Sequence, residues 1–283
     1  MSTLARRLWQ QYEPIHDVTY FSDESQAAAK DLGLRGYWMG YFAFRAAPLG
    51  AVGPEVVIAT FYNFAPARVR RALPDAWSYA EPEAVLTARL HAVDRAMRAV
   101  LGPAVESAEL AEAAELAWTA ARAADIAGRP LAAANQALPK PDKPHLVLWQ
   151  AATVLREHRG DGHNAVLVSR GITPLQAHAV KVATGESDGE LLRTGRGFTE
   201  DEWARADAEL RERGWLIDKG LTEQGRREHD LVEQLTDAAC AQPWQEVGER
   251  DSLRLLEILR PLAGRVIDSG AVPALSPVGV VRD

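Results

Sequence analysis

Apolar residues recur at intervals of three and four along most of this chain, a period that predicts helix. The period is clearest over 66–73, 82–101 and 106–126, where Pro66 and Pro82 stand at first helical turns. The stretch "RGYWMGYFAFRAAPLGAVGPEVVIATFYNFAP" carries an aromatic at almost every second or third position. It predicts a buried helix over 36–46 and a short element over 54–62, which the β-branched run Val56-Val57-Ile58 leaves open between helix and strand. Ahead of it, Ser22 or Asp23 can cap an alanine-rich helix that ends near Gly33. The first half is therefore mainly α.

Pro130, Pro139, Pro141 and Pro144 then crowd residues 128–145 and predict an extended connector. Beyond it, 144–158 has apolar positions on most sides of a helix. Gly160 is expected as its left-handed terminator and Asp161 as the cap of a following helix. Thr173-Pro174 with Gln176, and Thr199 with Glu202, each form a capping box. A tight Asp218-Lys219-Gly220 turn between short apolar runs leads into a long final helix. The division expected is a helical domain over 1–127, the connector over 128–144, a second domain over 145–272 and a loose tail over 273–283.

Three helices, a small hairpin and a helix is the order of a winged helix-turn-helix domain with a β-hairpin wing. "LRERGWL…GLTEQGRREHDLVEQLTD" resembles the end of a MarR-like winged helix. Over nearly the whole chain, "YFAFRAAPLG", "FYNFAP", "RALPDAW", "LREHRGDGH" and "GRGFTEDEW" together resemble an actinobacterial helix-turn-helix family of MarR-like type. That resemblance implies a ligand-responsive transcriptional regulator that binds DNA as a homodimer.

Charge argues against DNA as the main partner. A recognition helix approaches a polyanion and usually carries excess Lys and Arg. Here 199–213 holds six acids (Glu200, Asp201, Glu202, Asp207, Glu209, Glu212) against Arg205, Arg211 and Arg213. The whole chain carries a net charge of -7. Arg170, Lys181, Arg193 and Arg196 could still contact phosphates, and the domain could equally serve packing and dimerisation alone. Cys240, the single cysteine, excludes an internal disulfide. With no signal-like start and no run of about 18 uncharged apolar residues, the sequence predicts a cytoplasmic protein off the membrane.

The densest chemistry lies in "ATVLREHRGDGHNAVL". Arg156 and Arg159 can present forked donors to a carboxylate or phosphate. His158 and His163 can move a proton, with Glu157 or Asp161 to fix a tautomer. The bland alternative is a solvated helix end held by ion pairs. A metal on Glu157, His158, Asp161 and His163 is less well matched, because the histidines lie five apart rather than four, and no pattern names a cofactor. In the first half, His16 and Tyr20 are four apart, Asn63 sits among aromatics, and Arg45 is a cation in an apolar stretch that needs an acid such as Asp17, or a ligand. Trp203, with Phe21, Tyr37, Trp38, Tyr41, Phe42 and Phe61, could wall a shared pocket. The reading is a small anionic, partly aromatic molecule bound between the halves by Arg156, Arg159, His16, Tyr20, Arg45, Asn63 and Trp203, with acid–base chemistry by His158, His163, Asp161 and Glu157 as an option.

Overall fold

The computed structural model describes residues 3–218 and 220–273. Helices α1 (Leu4–Phe21), α2 (Asp23–Asp31), α3 (Gly36–Ala46), α4 (Pro54–Phe61), α5 (Pro66–Arg70), α6 (Ala76–Tyr79), α7 (Pro82–Leu101) and α8 (Ala108–Ala123) build the first half. Then follow α9 (Pro130–Gln136), α10 (Pro144–Ser169), α11 (Pro174–Ala183), α12 (Gly189–Arg196) and α13 (Glu200–Glu212). A two-residue antiparallel pair comes next, β1 (Leu216–Ile217) with β2 (Gly220–Leu221), and the chain continues through α14 (Glu223–Ala239), α15 (Gln242–Val247) and α16 (Glu249–Asp268). The fold is mainly helical, and the 54–62 element is a helix. No single helix among the described residues is long and apolar enough to cross a membrane. Residues 274–283 of the tail expected over 273–283, and the turn residue Lys219, lie outside the described residues.

Local sequence accounts for most boundaries. Ser22 caps α2 through the amide of Ser25. Both capping boxes form, Thr173 with Gln176 on α11 and Thr199 with Glu202 on α13. Gly197, at φ 84°, ends α12 in the left-handed region and turns the chain directly into α13. Helix α12 has no counterpart in the apolar period, being only eight residues long and half polar.

Two expectations are corrected. Residues 130–136, inside the connector, are helical: Pro130 occupies the first turn, where a missing N–H costs nothing. The second correction is larger. The chain does not bend at Gly160-Asp161-Gly162, because α10 runs unbroken through both glycines. Glycine in a helix interior costs about 1 kcal/mol relative to alanine, and Gly162 is explained by packing. A Cβ there would sit 2.5 Å from Nη1 of Arg129. That guanidinium crosses the helix to reach the carbonyl oxygens of His158 and Ala239. Asp161 caps a helix, but not its own: Oδ2 accepts the Leu131 and Ala132 amides, each at 3.0 Å, at the start of α9.

Three apolar cores surround α10. The first joins α1, α7, α8, α15 and α16 to its N-terminal part through Leu146, Leu148, Trp149, Leu155 and their neighbours. A second fills the space among α2 to α7, with Phe42, Phe44 and Phe61 fully buried. The third lies under α11, α13, the hairpin and α14, and meets α10 at Leu167. Between Leu155 and Leu167 the helix crosses from the first core to the third, and there the charged stretch sits.

Candidate functional site

The faces of an unbroken α10 sort the charged stretch. Arg156, Arg159, Gly160, His163, Asn164 and Leu167 follow helical spacing along one stripe and line a cavity of about 330 Å³. Helix α1 contributes Arg6, Trp9, Gln10 and Glu13 to its wall. Arg45 and Phe61 come from α3 and α4, Lys181 and His178 from α11, Arg196 from α12, and Glu233 and Thr236 from α14. Phe61, Leu167, Ile172, Val180, Trp215 and Val232 supply an apolar portion.

Arg45 and Arg156, which sequence reasoning placed in one site, share a carboxylate. Glu157 accepts from Arg45 Nε and Nη2, both at 2.9 Å, and from Arg156 Nη1 at 3.0 Å. The expected Asp17 partner is thus replaced by Glu157, which lies 1% exposed. The two guanidinium groups hold the Glu157 carboxyl far below the usual carboxylate range despite its burial. Arg156 also donates to Glu13 at 3.1 Å, and Glu13 accepts from Trp9 Nε1 at 2.8 Å. Arg45 stacks 4.1 Å over Phe61. On the opposite wall Arg159 pairs with Asp237 at 2.9 Å and stacks 4.7 Å over Trp9, and Arg6 holds Asp237 and Glu233.

Burial lowers the pKa of His16 and His163 and favours their neutral forms, and their hydrogen bonds fix their tautomers. Thr236 Oγ1 gives its proton to the Val232 carbonyl, so it accepts from His163 Nδ1–H at 2.9 Å. Nε2 is left as the basic nitrogen of His163, whose pKa burial lowers to about 4. By the same logic Thr153 donates to Trp149, His16 Nδ1–H donates to Thr153, and Tyr20 donates to His16 Nε2 at 3.0 Å. His16 and Tyr20 share a face as expected, beside Arg45 rather than on the cavity wall. Asn63 lines the cavity, and its carbonyl accepts from His178 Nε2 at 3.0 Å.

Besides His16, Tyr20 and Glu157, three more expected site residues stand off the cavity wall. His158 and Asp161 lie on the face of α10 turned to α9 and Arg129, outside the cavity wall. Trp203 packs against the third core. Among the described residues no three His, Cys, Asp or Glu side chains come together as a metal site. Arg6, Trp9, Glu13, His178, Glu233 and Thr236 were not anticipated. The spacing Arg6, Trp9, Gln10, Glu13 is a helical face that could have flagged α1.

Because Asp161 serves α9, Asp161→Ala is expected to cost about 1–3 kcal/mol through two orphaned amides, whereas Asp161→Asn keeps an acceptor and most of the stability. Denaturant titration of both variants checks this.

A helical protein whose three cores meet around a charged cavity, with a helix–turn–helix step at Gly197, is the class these features define. A helix-turn-helix family model matches residues 5–273, and the chain belongs to that family. No curated protein and no solved structure matches it.

Proposed function

We propose that the cavity binds a small organic anion with an apolar or aromatic body. The carrying observation is the composition of its wall. Six cationic side chains (Arg6, Arg45, Arg156, Arg159, Lys181, Arg196) face it against Glu13, Glu186 and Glu233. Glu157 and Asp237, which hold Arg45, Arg156, Arg159 and Arg6 from behind, bring the described Lys, Arg and carboxylate charges to six positive and five negative, and His229, paired with Glu186 at 3.2 Å, adds a positive charge when protonated. That small positive excess matches a small anion rather than a polyanion. The apolar portion of the wall suits the remainder of such a molecule, as ligand sites combine apolar lining with a few convergent polar groups. His163, neutral and with Nε2 basic, is the one of the four expected acid–base residues that lines the cavity, and it is the candidate for proton transfer.

The segment from α11 to α14 supports a second reading, a winged helix in a ligand-responsive regulator of MarR-like type acting as a dimer. Family membership favours it. The surface of α13 does not: Arg213 turns inward to stack 4.0 Å over Trp215 and to donate to the Gly171 carbonyl, and Arg211 is paired with Asp218. The acidic face that remains repels phosphate.

Native and denaturing masses of protein purified from its own source test the first reading. A discrete extra mass present only under native conditions, and lost in Arg159→Met, is the expected result. Bare protein together with tight, salt-dependent binding to duplex DNA moves the conclusion to the regulator.

A further inference from the structure

Lysine is scarce here, with five in the chain. Lys30 is exposed at the end of α2, Lys140 pairs with Glu115 and Lys143 with Asp94. Lys181 is placed differently. It lies on α11 and lines the cavity together with Arg156, Arg159 and His163, partly buried. Glu13 on α1, Glu233 on α14 and Glu186 just beyond α11 line the same cavity, and their charges, with that of Arg196, act on the Lys181 ammonium.

We propose that Lys181 forms an imine with the carbonyl group of a small oxo acid bound in this cavity. The inference rests on the anion-binding reading above and names the class of molecule: a carboxylate for the guanidinium groups and an aldehyde or ketone for the amine. Desolvation lowers the pKa of the lysine and enlarges its neutral, nucleophilic fraction.

In the first step the ammonium gives a proton to Glu186 or Glu233, and the amine nitrogen forms a bond to the carbonyl carbon. The carbonyl oxygen takes the proton that the glutamate received, and the nitrogen loses one to His163 Nε2. The carbinolamine oxygen then takes that proton back from His163 and leaves as water while the C=N bond forms. Lysine ammonium and carbonyl become protonated imine and water, with no change in oxidation state and no further reactant.

The experiment uses glyoxylate as the probe, with cyanoborohydride to reduce any imine to a stable carboxymethyl-lysine, followed by peptide mapping of the intact-chain reaction. Lys181 is expected to be modified at least about tenfold faster than the other four lysines, and faster by glyoxylate than by uncharged propanal. Lys181→Arg keeps the charge and removes the adduct, and the wild-type protein is expected to bind glycolate, which has the carboxylate but no carbonyl. Equal labelling of all lysines, no labelling of Lys181, or labelling as fast with propanal overturns the imine proposal. If glycolate binds while Lys181 stays unlabelled, the imine fails and the anion reading stands. If glycolate does not bind and Lys181 stays unlabelled, both fail.

Discussion

Glu157→Gln is expected to cost about 3–5 kcal/mol of stability, the range for breaking a buried ion pair by removing one partner. Glutamine keeps the volume and one acceptor oxygen but removes the charge that two buried guanidinium groups share. Arg45 loses both of its 2.9 Å bonds to a carboxylate, and Arg156 is left with Glu13 alone. Glu13→Gln is expected to cost less, since Arg156 then keeps Glu157. A joint change of Glu157 and Arg45 to Met is expected to be milder than Glu157→Gln, because it removes a charge together with its counter-charge. Denaturant midpoints of the three variants decide it, and a loss below about 1 kcal/mol for Glu157→Gln would remove Glu157 as the tie between α3 and α10.

Acid is expected to unfold the protein steeply near pH 5. His163 and His158 are lowered to about 4 and His178 to about 3, and His16 is also well below its ordinary value, all chiefly by burial. Each is neutral when folded and charged when unfolded below about 6.5, so each contributes stability that is lost as pH falls from there towards the folded value. Two carboxyls act in the opposite sense. Asp161 is pushed up to about 7, and Asp17, buried with no hydrogen-bond partner on either oxygen, is raised well above its usual range. Both hold a proton when folded and release it on unfolding. His145 is lowered by burial as well, so four to five protons taken up against two released leave a net uptake of about two to three, which is a slope of roughly 3–4 kcal/mol per pH unit around pH 5. Glu157 adds little there, because its folded value lies so low that it titrates only in stronger acid. Stability measured from pH 4.5 to 6.5 by denaturant titration checks the slope and its sign. A flat profile over that range would mean that the histidines are solvated.

Helices were legible where a proline, a capping residue or a long apolar period marked them, as at Pro82, Thr173 and Thr199. The bend expected at Gly160-Asp161-Gly162 was not there, because the reason for Gly162 is Arg129, 33 residues earlier in the chain. No local pattern records that contact. The error also shaped the site. On a broken helix His158, Asp161 and His163 converge, whereas on a continuous one His163 joins Arg156 and Arg159 while His158 and Asp161 face the other way. Arg45 was legible as a cation in need of an acid, since an apolar stretch cannot hold an unpaired guanidinium. Its partner was not, because several acids were available and only packing brings Glu157 to it. The α1 and α14 wall was missed for a similar reason: Arg6, Glu233 and Asp237 are ordinary surface types until the two helices meet.

Calorimetric titration with benzoate, a small carboxylate with an aromatic body, tests the central claim most directly. The wild-type protein is expected to bind one equivalent, with the two wall tryptophans, Trp9 and Trp215, reporting the same saturation by fluorescence. Arg159→Met is the informative variant, because Asp237 retains Arg6 and Thr3 as partners when Arg159 is lost. It is expected to fold and to bind at least about tenfold more weakly, a difference of about 1.4 kcal/mol. Equal affinity in the variant, or no saturable binding to the wild type at millimolar benzoate, would contradict an anion site in this cavity.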